Sequence, residues 1–211
     1  MIHVAVRRKA FGNLEVLRDI SFTLQQGETL AILGSSGIGK STLLRLIAGI
    51  DGEFDGEITR PDRMAMVFQE PTLLMWRTAV QNLTLVHPDL DEAAALAALE
   101  RVGIAEKAAL FPRQLSLGQQ RRLTLARAFA LEPELLLLDE PFVSLDQDMA
   151  EDMLTLTEVL IARARPATIL VTHSEAEASR LANRVLRLAG HPATMVAERG
   201  VPVPPNQIGA A

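Results

Sequence analysis

The sequence has no cysteine, which excludes disulfides and thiolate metal sites and suits a reducing compartment. It also lacks a long apolar run. The leucines at 135–138 stop at Asp139, far short of the ~20 residues that a membrane span needs. Positive charge is in deficit: 21 Lys+Arg against 26 Asp+Glu leave a net charge of −5, which disfavours a general electrostatic grip on nucleic acid. The opening "MIHVAVRRKAFGN" alternates like a strand and has no apolar core of a secretion signal. What remains is ordinary for a globular chain, with 48% hydrophobic and 22% charged residues in a total of 211. That length suits one large domain or two small ones. The chain reads as soluble, so any membrane role has to come through a partner.

The pattern along the chain is mixed. "IHVAVRRKAF" and "LRDISFTL" read as strands parted by Gly12-Asn13, and "TLAILG" as a short apolar strand. Helical spacing of Leu43, Leu46 and Ile47 follows, closed by Gly49 and leading to a hairpin-like stretch. "MAMVFQ" reads as a strand ending at Gln69. From Asp91, which suits a helix cap, to about residue 118 the character is helical throughout. "QQRRLTLARAFALEP" continues as a helix stopped by Pro133, and "ELLLLDEP" reads as a strand buried on both faces. A helix, the strand "ATILVTH", another helix and a last strand "VLRLAG" complete the alternation. Strands alternating with helices predict a mostly parallel sheet covered by helices. The proline-rich end is expected to fray.

The run Gly34-Ser35-Ser36-Gly37-Ile38-Gly39-Lys40-Ser41-Thr42 matches G-x-x-x-x-G-K-[ST] between a strand and a helix. Glycines there let backbone N–H groups converge on phosphate oxygens, and the helix N-terminus adds partial positive charge. Lys40 is expected to reach the β and γ phosphates, and the Ser41 hydroxyl to bind Mg²⁺. A plain glycine-rich helix cap is the competing reading.

Three other groups end predicted strands, where ligands sit in an open α/β sheet. Asp139 and Glu140 divide naturally into a Mg²⁺ holder and a base that polarises an attacking water. His173 ends "ATILVTH", and Gln69 ends its own strand with an amide suited to Mg²⁺ or the lytic water.

Together with "LSLGQ" at 115–119 and "SLD" at 144–146, these pieces resemble the nucleotide-binding subunit of ATP-binding cassette (ABC) transporters, in the family's order and over nearly the whole chain. The resemblance implies a P-loop NTPase fold of the ABC type. It comprises a mostly parallel sheet core, an N-terminal antiparallel β-subdomain and an inserted helical subdomain. On that basis residues 1–200 form one domain, with core at 1–69 and 119–200, a helical insert at 70–118 and a flexible tail at 201–211. It implies ATP and Mg²⁺ as cofactors, with Glu140, His173 and Gln69 catalytic and with Ser41, Gln69 and Asp139 around the metal. It further implies a head-to-tail dimer with an identical or homologous subunit. There, Ser116, Gly118 and Gln119 of one copy meet the γ-phosphate held by the other, and Asp146 crosses the dimer axis. Phe11 stands where an aromatic residue stacks on adenine, and Val16 on the ribose side. Leu117 departs from the usual first glycine of L-S-G-G-Q. If that position needs φ > 0 or very close phosphate approach, leucine costs ~1 kcal/mol or more; with Ser116, Gly118 and Gln119 retained, a working signature with weakened dimerisation is expected.

"FQEPTLLMWRTAVQNL" resembles bacterial importers of nitrate, sulfonates and taurine, with Met75 where a proline is usual before Trp76. Residues 70–83 are then expected to receive integral membrane permease subunits, with a solute-binding protein engaged indirectly and no nucleic acid. The expected location is the cytoplasmic face of the inner membrane, peripherally bound. Trp76 reads equally as a partly buried anchor. On this length, the extra C-terminal domain of maltose-type importers is not expected. Two other classes compete. A DNA-maintenance ATPase of the SMC or Rad50 type would need long coiled coils between Lys40 and Asp139. A P-loop phosphotransferase would leave "LSLGQ", "SLD" and His173 idle.

Overall fold

The computed structural model describes residues 1–200 and divides them into two compact units. The expected tail at 201–211 lies outside the described residues. The first unit takes in 1–66, 134–140 and the chain from 165 onward. It holds two sheets. β1 (Ile2–Phe11), β2 (Leu14–Leu24) and β4 (Asp55–Thr59) form an antiparallel sheet of order β2-β1-β4. The second sheet, of order β5-β6-β7-β3-β8-β9, comprises β3 (Thr29–Leu33), β5 (Met64–Val67), β6 (Leu135–Asp139), β7 (Ala167–Thr172), β8 (Arg184–Ala189) and β9 (Thr194–Gly200). The pairs β6-β7, β7-β3 and β3-β8 are parallel, and β8-β9 is antiparallel.

One continuous core joins these sheets through α1 (Lys40–Ala48). Leu43, Leu46 and Ile47 of α1 pack with Val4, Ile20 and Phe22 of the antiparallel sheet and with Ile32, Leu137 and Ile169 of the parallel one. Each such fully buried side chain contributes about 1.5–3 kcal/mol. β3 is buried on both faces, because its other face, Ala31 and Leu33, packs on Ala178 of α6 (Glu175–Leu181). The apolar runs of β3, β6 and β7 leave no exposed residue, as in central parallel strands.

The second unit spans 67–133 and 141–164. It contains α2 (Gln81–Thr84), α3 (Glu92–Arg101), α4 (Leu117–Phe129) and α5 (Gln147–Ala164). Asp91 caps α3 as its position predicts, accepting from the Ala94 N–H at 2.7 Å. Ala95, Leu99 and Val102 face the interior, with α3 on α4 and α4 on α5.

By packing, α4 and α5 group with the helices before them in the second unit. Three expectations need correcting. The stretch after Asp91 is not helical throughout, since α3 gives way to single 3₁₀ turns at 105–107 and 112–114. The stretch after Gly52 is not a hairpin, because β4 joins the antiparallel sheet and β5 the other. "VLRLAG" is not the last strand: β9 returns antiparallel to β8 along a segment whose alternation is masked by Gly190 and Pro192.

Candidate functional site

Because β6, β7 and β3 are parallel neighbours, the residues following each gather at one edge of the sheet. The turn after β3 carries the phosphate-binding pattern. Gly37 and Gly39 take left-handed conformations, φ 77° and 111°, that side chains disfavour. Gly39 is also closed in: a Cβ there would lie 2.8 Å from Leu17 and 3.0 Å from Val16. Ile38 turns into the core while Ser35, Ser36 and Gly37 stay exposed, and Thr42 is half-buried. No side chain caps α1 and no acid sits in its first turn, so nothing competes for its leading N–H groups.

Lys40 is buried. Its Nζ donates to the carbonyls of Gly34 (3.0 Å) and Ser35 (3.1 Å) and lies 3.1 Å from Glu140 Oε1. Next to it, Ser41 Oγ donates to Asp139 Oδ1 at 2.8 Å. Burial pushes the Asp139 carboxyl above the ordinary carboxylate value, with the Ser41 bond opposing it. Glu140 holds φ 45°, a strained value for a residue with a side chain, and its N–H donates to the Val171 carbonyl. Its second oxygen, Oε2, lies 3.3 Å from His173 Nδ1. The turn bearing His173 is braced. The Thr172 hydroxyl donates to Glu177 Oε2 and accepts from the Ser174 N–H, and Ser174 Oγ caps α6 at Glu177.

In the second unit, Ser116 is the N-cap of α4. Its Oγ accepts from the Gln119 N–H, and Gln119 Oε1 accepts from the Ser116 N–H. Gln119 is therefore engaged within its own helix. Leu117 is the first helical residue, has no left-handed φ and is 45% exposed. The leucine thus carries no backbone strain. At Gly118 a Cβ would meet Met149 at 3.6 Å, ordinary contact, so packing inside this unit does not require glycine. Asp146 caps α5, accepting from the Met149 N–H at 2.9 Å. Gln69 is exposed beyond the end of β5.

Residues 17–143 match the ABC transporter family, a span holding both the phosphate turn and "LSLGQ". The chain belongs to that family. An aliphatic sulfonates import ATP-binding protein of Mycobacterium sp. (strain MCS) is 45% identical over 188 residues, covering 86% of this chain and 77% of that protein. One from Nocardia farcinica is 46% identical over 191 residues, covering 89% and 80%. The fold agrees with the dimeric structure of the ATP-binding cassette MJ0796 in a post-hydrolysis state bound to ADP and Pi. The TM-score is 0.81 at 25% identity, with 96% of this chain and 99% of that one covered. The dimeric structure of MJ0796 described as a bacterial ABC transporter cassette gives 0.80 at 26% identity, with the same coverage. This ABC cassette binds and hydrolyses ATP to power transport. The coiled-coil alternative fails as well: the longest helix among the described residues has 18 residues.

Three buried polar side chains of the cassette were not singled out in the sequence. Lys9 is buried on β1 and reaches Asp51 just past α1. Asn82 is fully buried; its amide donates to the carbonyls of Leu74, Arg77 and Thr78 and accepts from the Leu74 N–H. That arrangement pins the turn presenting Trp76, which is 68% exposed and not the partly buried anchor its aromaticity suggests. Arg121 is buried in α4 with Nε and Nη1 lacking a hydrogen-bond partner among the described residues. A polar residue inside an apolar helical pattern, as in "VQNLTLV", is the one signal that marks Asn82 in advance.

Proposed function

We propose that this cassette drives import of small sulfonates, working as a head-to-tail pair on the cytoplasmic face of the inner membrane beneath permease subunits. The observation that carries the catalytic reading is the convergence of Lys40, Glu140 and His173 within 3.3 Å contacts at the ends of adjacent strands. The substrate class rests on the sulfonate-import relatives.

The chemistry follows from these groups. The glycine-rich turn and Lys40 bind the triphosphate, drawing the ammonium toward phosphate oxygens and away from Glu140. Glu140, freed of that partner, accepts a proton from water as the water oxygen bonds to the γ-phosphorus and the bond to ADP breaks. His173 contacts the γ-phosphate and orients Glu140. The hard oxygen pair of Ser41 and Asp139 suits Mg²⁺, which takes few protein ligands beside phosphates and waters. Ser41 and Asp139 would hold the metal, with Gln69 a further candidate oxygen donor, and when bound it would neutralise charge on the phosphates.

Phe11 stacks on adenine, and Val16 lines the ribose. Ser116, Gly118 and Gln119 clasp the γ-phosphate of the second copy, with Asp146 near the axis. The tolerance for a Cβ at Gly118 within its own unit supports this, since glycine there serves an approach from outside. Residues 70–83, with exposed Trp76, receive the permease, and a solute-binding protein delivers the cargo. The test is uptake into vesicles carrying the cassette, its co-purifying permease and the binding protein. ATP-dependent accumulation of an alkanesulfonate, with nitrate excluded, is expected. Nitrate uptake without sulfonate uptake would overturn the substrate while leaving the ATPase intact.

A further inference from the structure

Phe11 ends β1 more than half exposed, and its ring does not stand alone. The Lys9 ammonium lies 4.4 Å from the ring centroid, two residues back on the same strand. Lys9 itself is 1% exposed, and its Nζ is held by Asp51 and by the Glu53 carbonyl at 2.8 Å. Asp51 and Glu53 follow directly on α1, the helix that leads out of the phosphate turn. A β-bulge lies at the same place: Lys9 pairs with Leu17 and Ala10 with Glu15, so Val16 is the extra residue. Val16 packs at Gly39 of the phosphate turn. The hairpin tip bearing Phe11 is therefore tied to the phosphate site twice, through Val16 and through Lys9.

We propose that Lys9 is a positioning residue for nucleotide binding: its buried ammonium fixes the Phe11 ring from one side so that the other side receives a purine. This rests on Phe11 being the base-stacking residue. A cation is attracted to the electron-rich face of an aromatic ring, more strongly when desolvated, and Lys9 is almost wholly removed from water. By drawing π density toward itself it makes the opposite face less repulsive to the π cloud of a base. A ring held in place also loses less freedom when the base binds, and that saving appears as affinity. Stacking reads no base edge, so adenine and guanine nucleotides depend on Lys9 alike.

The experiment is a double-mutant cycle on the full chain: Lys9→Met, Phe11→Leu and both together, with ATP affinity measured by titration calorimetry. Lys9→Met is expected to weaken ATP binding and raise KM about three- to tenfold with kcat retained. It should add nothing once Phe11 is leucine, and inhibition by inorganic tripolyphosphate, which has no base, should be unchanged. Lys9→Arg, which keeps a cation over the ring, should restore most of the affinity and controls for folding. An equal loss in the parent and Phe11→Leu backgrounds, or an equal loss for tripolyphosphate, would show that Lys9 serves only the fold. If Phe11→Leu itself leaves ATP affinity untouched, the stacking assignment fails and the inference falls with it.

Discussion

Lys40 and Glu140 are bonded to each other, with the ammonium 3.1 Å from the carboxylate although 100 positions separate them in the chain. The cation that would bind phosphate and the carboxylate that would activate water satisfy one another in this state. On the proposed mechanism, binding of a triphosphate would exchange one partner of Lys40 for another and release Glu140.

Glu140→Gln keeps the side-chain size and removes the charge. Hydrolysis should fall at least ~100-fold, while nucleotide binding persists because Lys40 keeps the Gly34 and Ser35 carbonyls and the phosphates. Phosphate release and light scattering in ATP are the measurements; a stable ATP-bound dimer is the expected product. Monomers under saturating ATP would overturn the head-to-tail assembly.

Asp139 gives a stability signature. Burial raises its folded pKa above the unfolded value of about 3.9, so the folded chain binds the proton more readily. Stability therefore falls as pH rises from that unfolded value through the raised folded one, and is level above it. Asp139→Asn removes this contribution. Without nucleotide its melting temperature at neutral pH should exceed the parent's, and the gap should close on acidification. The same variant should lose Mg²⁺-dependent hydrolysis. Thermal melts across pH check the first part, and a variant that melts lower at neutral pH would contradict it.

Leu117 is helical, unstrained and partly exposed, so its departure from glycine does not harm the fold. Leu117→Gly should lower stability by at most ~1 kcal/mol, the difference in helix propensity. ATPase rate should change less than about tenfold, equivalent to ~1.4 kcal/mol in the barrier. A larger rise in rate would show that the leucine holds two cassettes apart.

Asn82→Ala removes four hydrogen bonds from a buried amide and leaves backbone groups of the 74–78 turn unpaired. A loss of about 2–4 kcal/mol is expected, or roughly 5–15 °C in melting temperature. Trp76 is the single tryptophan, so its emission reports the turn directly. Unchanged emission polarisation in the variant would show that Asn82 does not hold it.

The strand-helix alternation was legible because each element carries its own pattern, such as four leucines before Asp139 or Leu43, Leu46 and Ile47 on one helical face. Asp91 as a cap was legible for the same reason: a cap bonds to an N–H group three residues away. Arg121 was not. It stands among glutamines and arginines that read as a polar helix start, and only the packing around α4 buries its guanidinium. β9 escaped notice because pairing with β8, not the alternation of its own residues, makes it a strand.

By itself the sequence determined the phosphate turn, since left-handed glycines and a helix N-terminus are set by atoms a few bonds apart. It also determined the capping box at Ser116 and Gln119. Only the tertiary structure decided that Ser41 meets Asp139, that Glu140 stands between Lys40 and His173, and that Lys9 lies beneath Phe11. Those meetings depend on which strands pair, in what order and with what register. Such long-range pairing is the summed result of burial over the whole sheet and is written in no short stretch of residues.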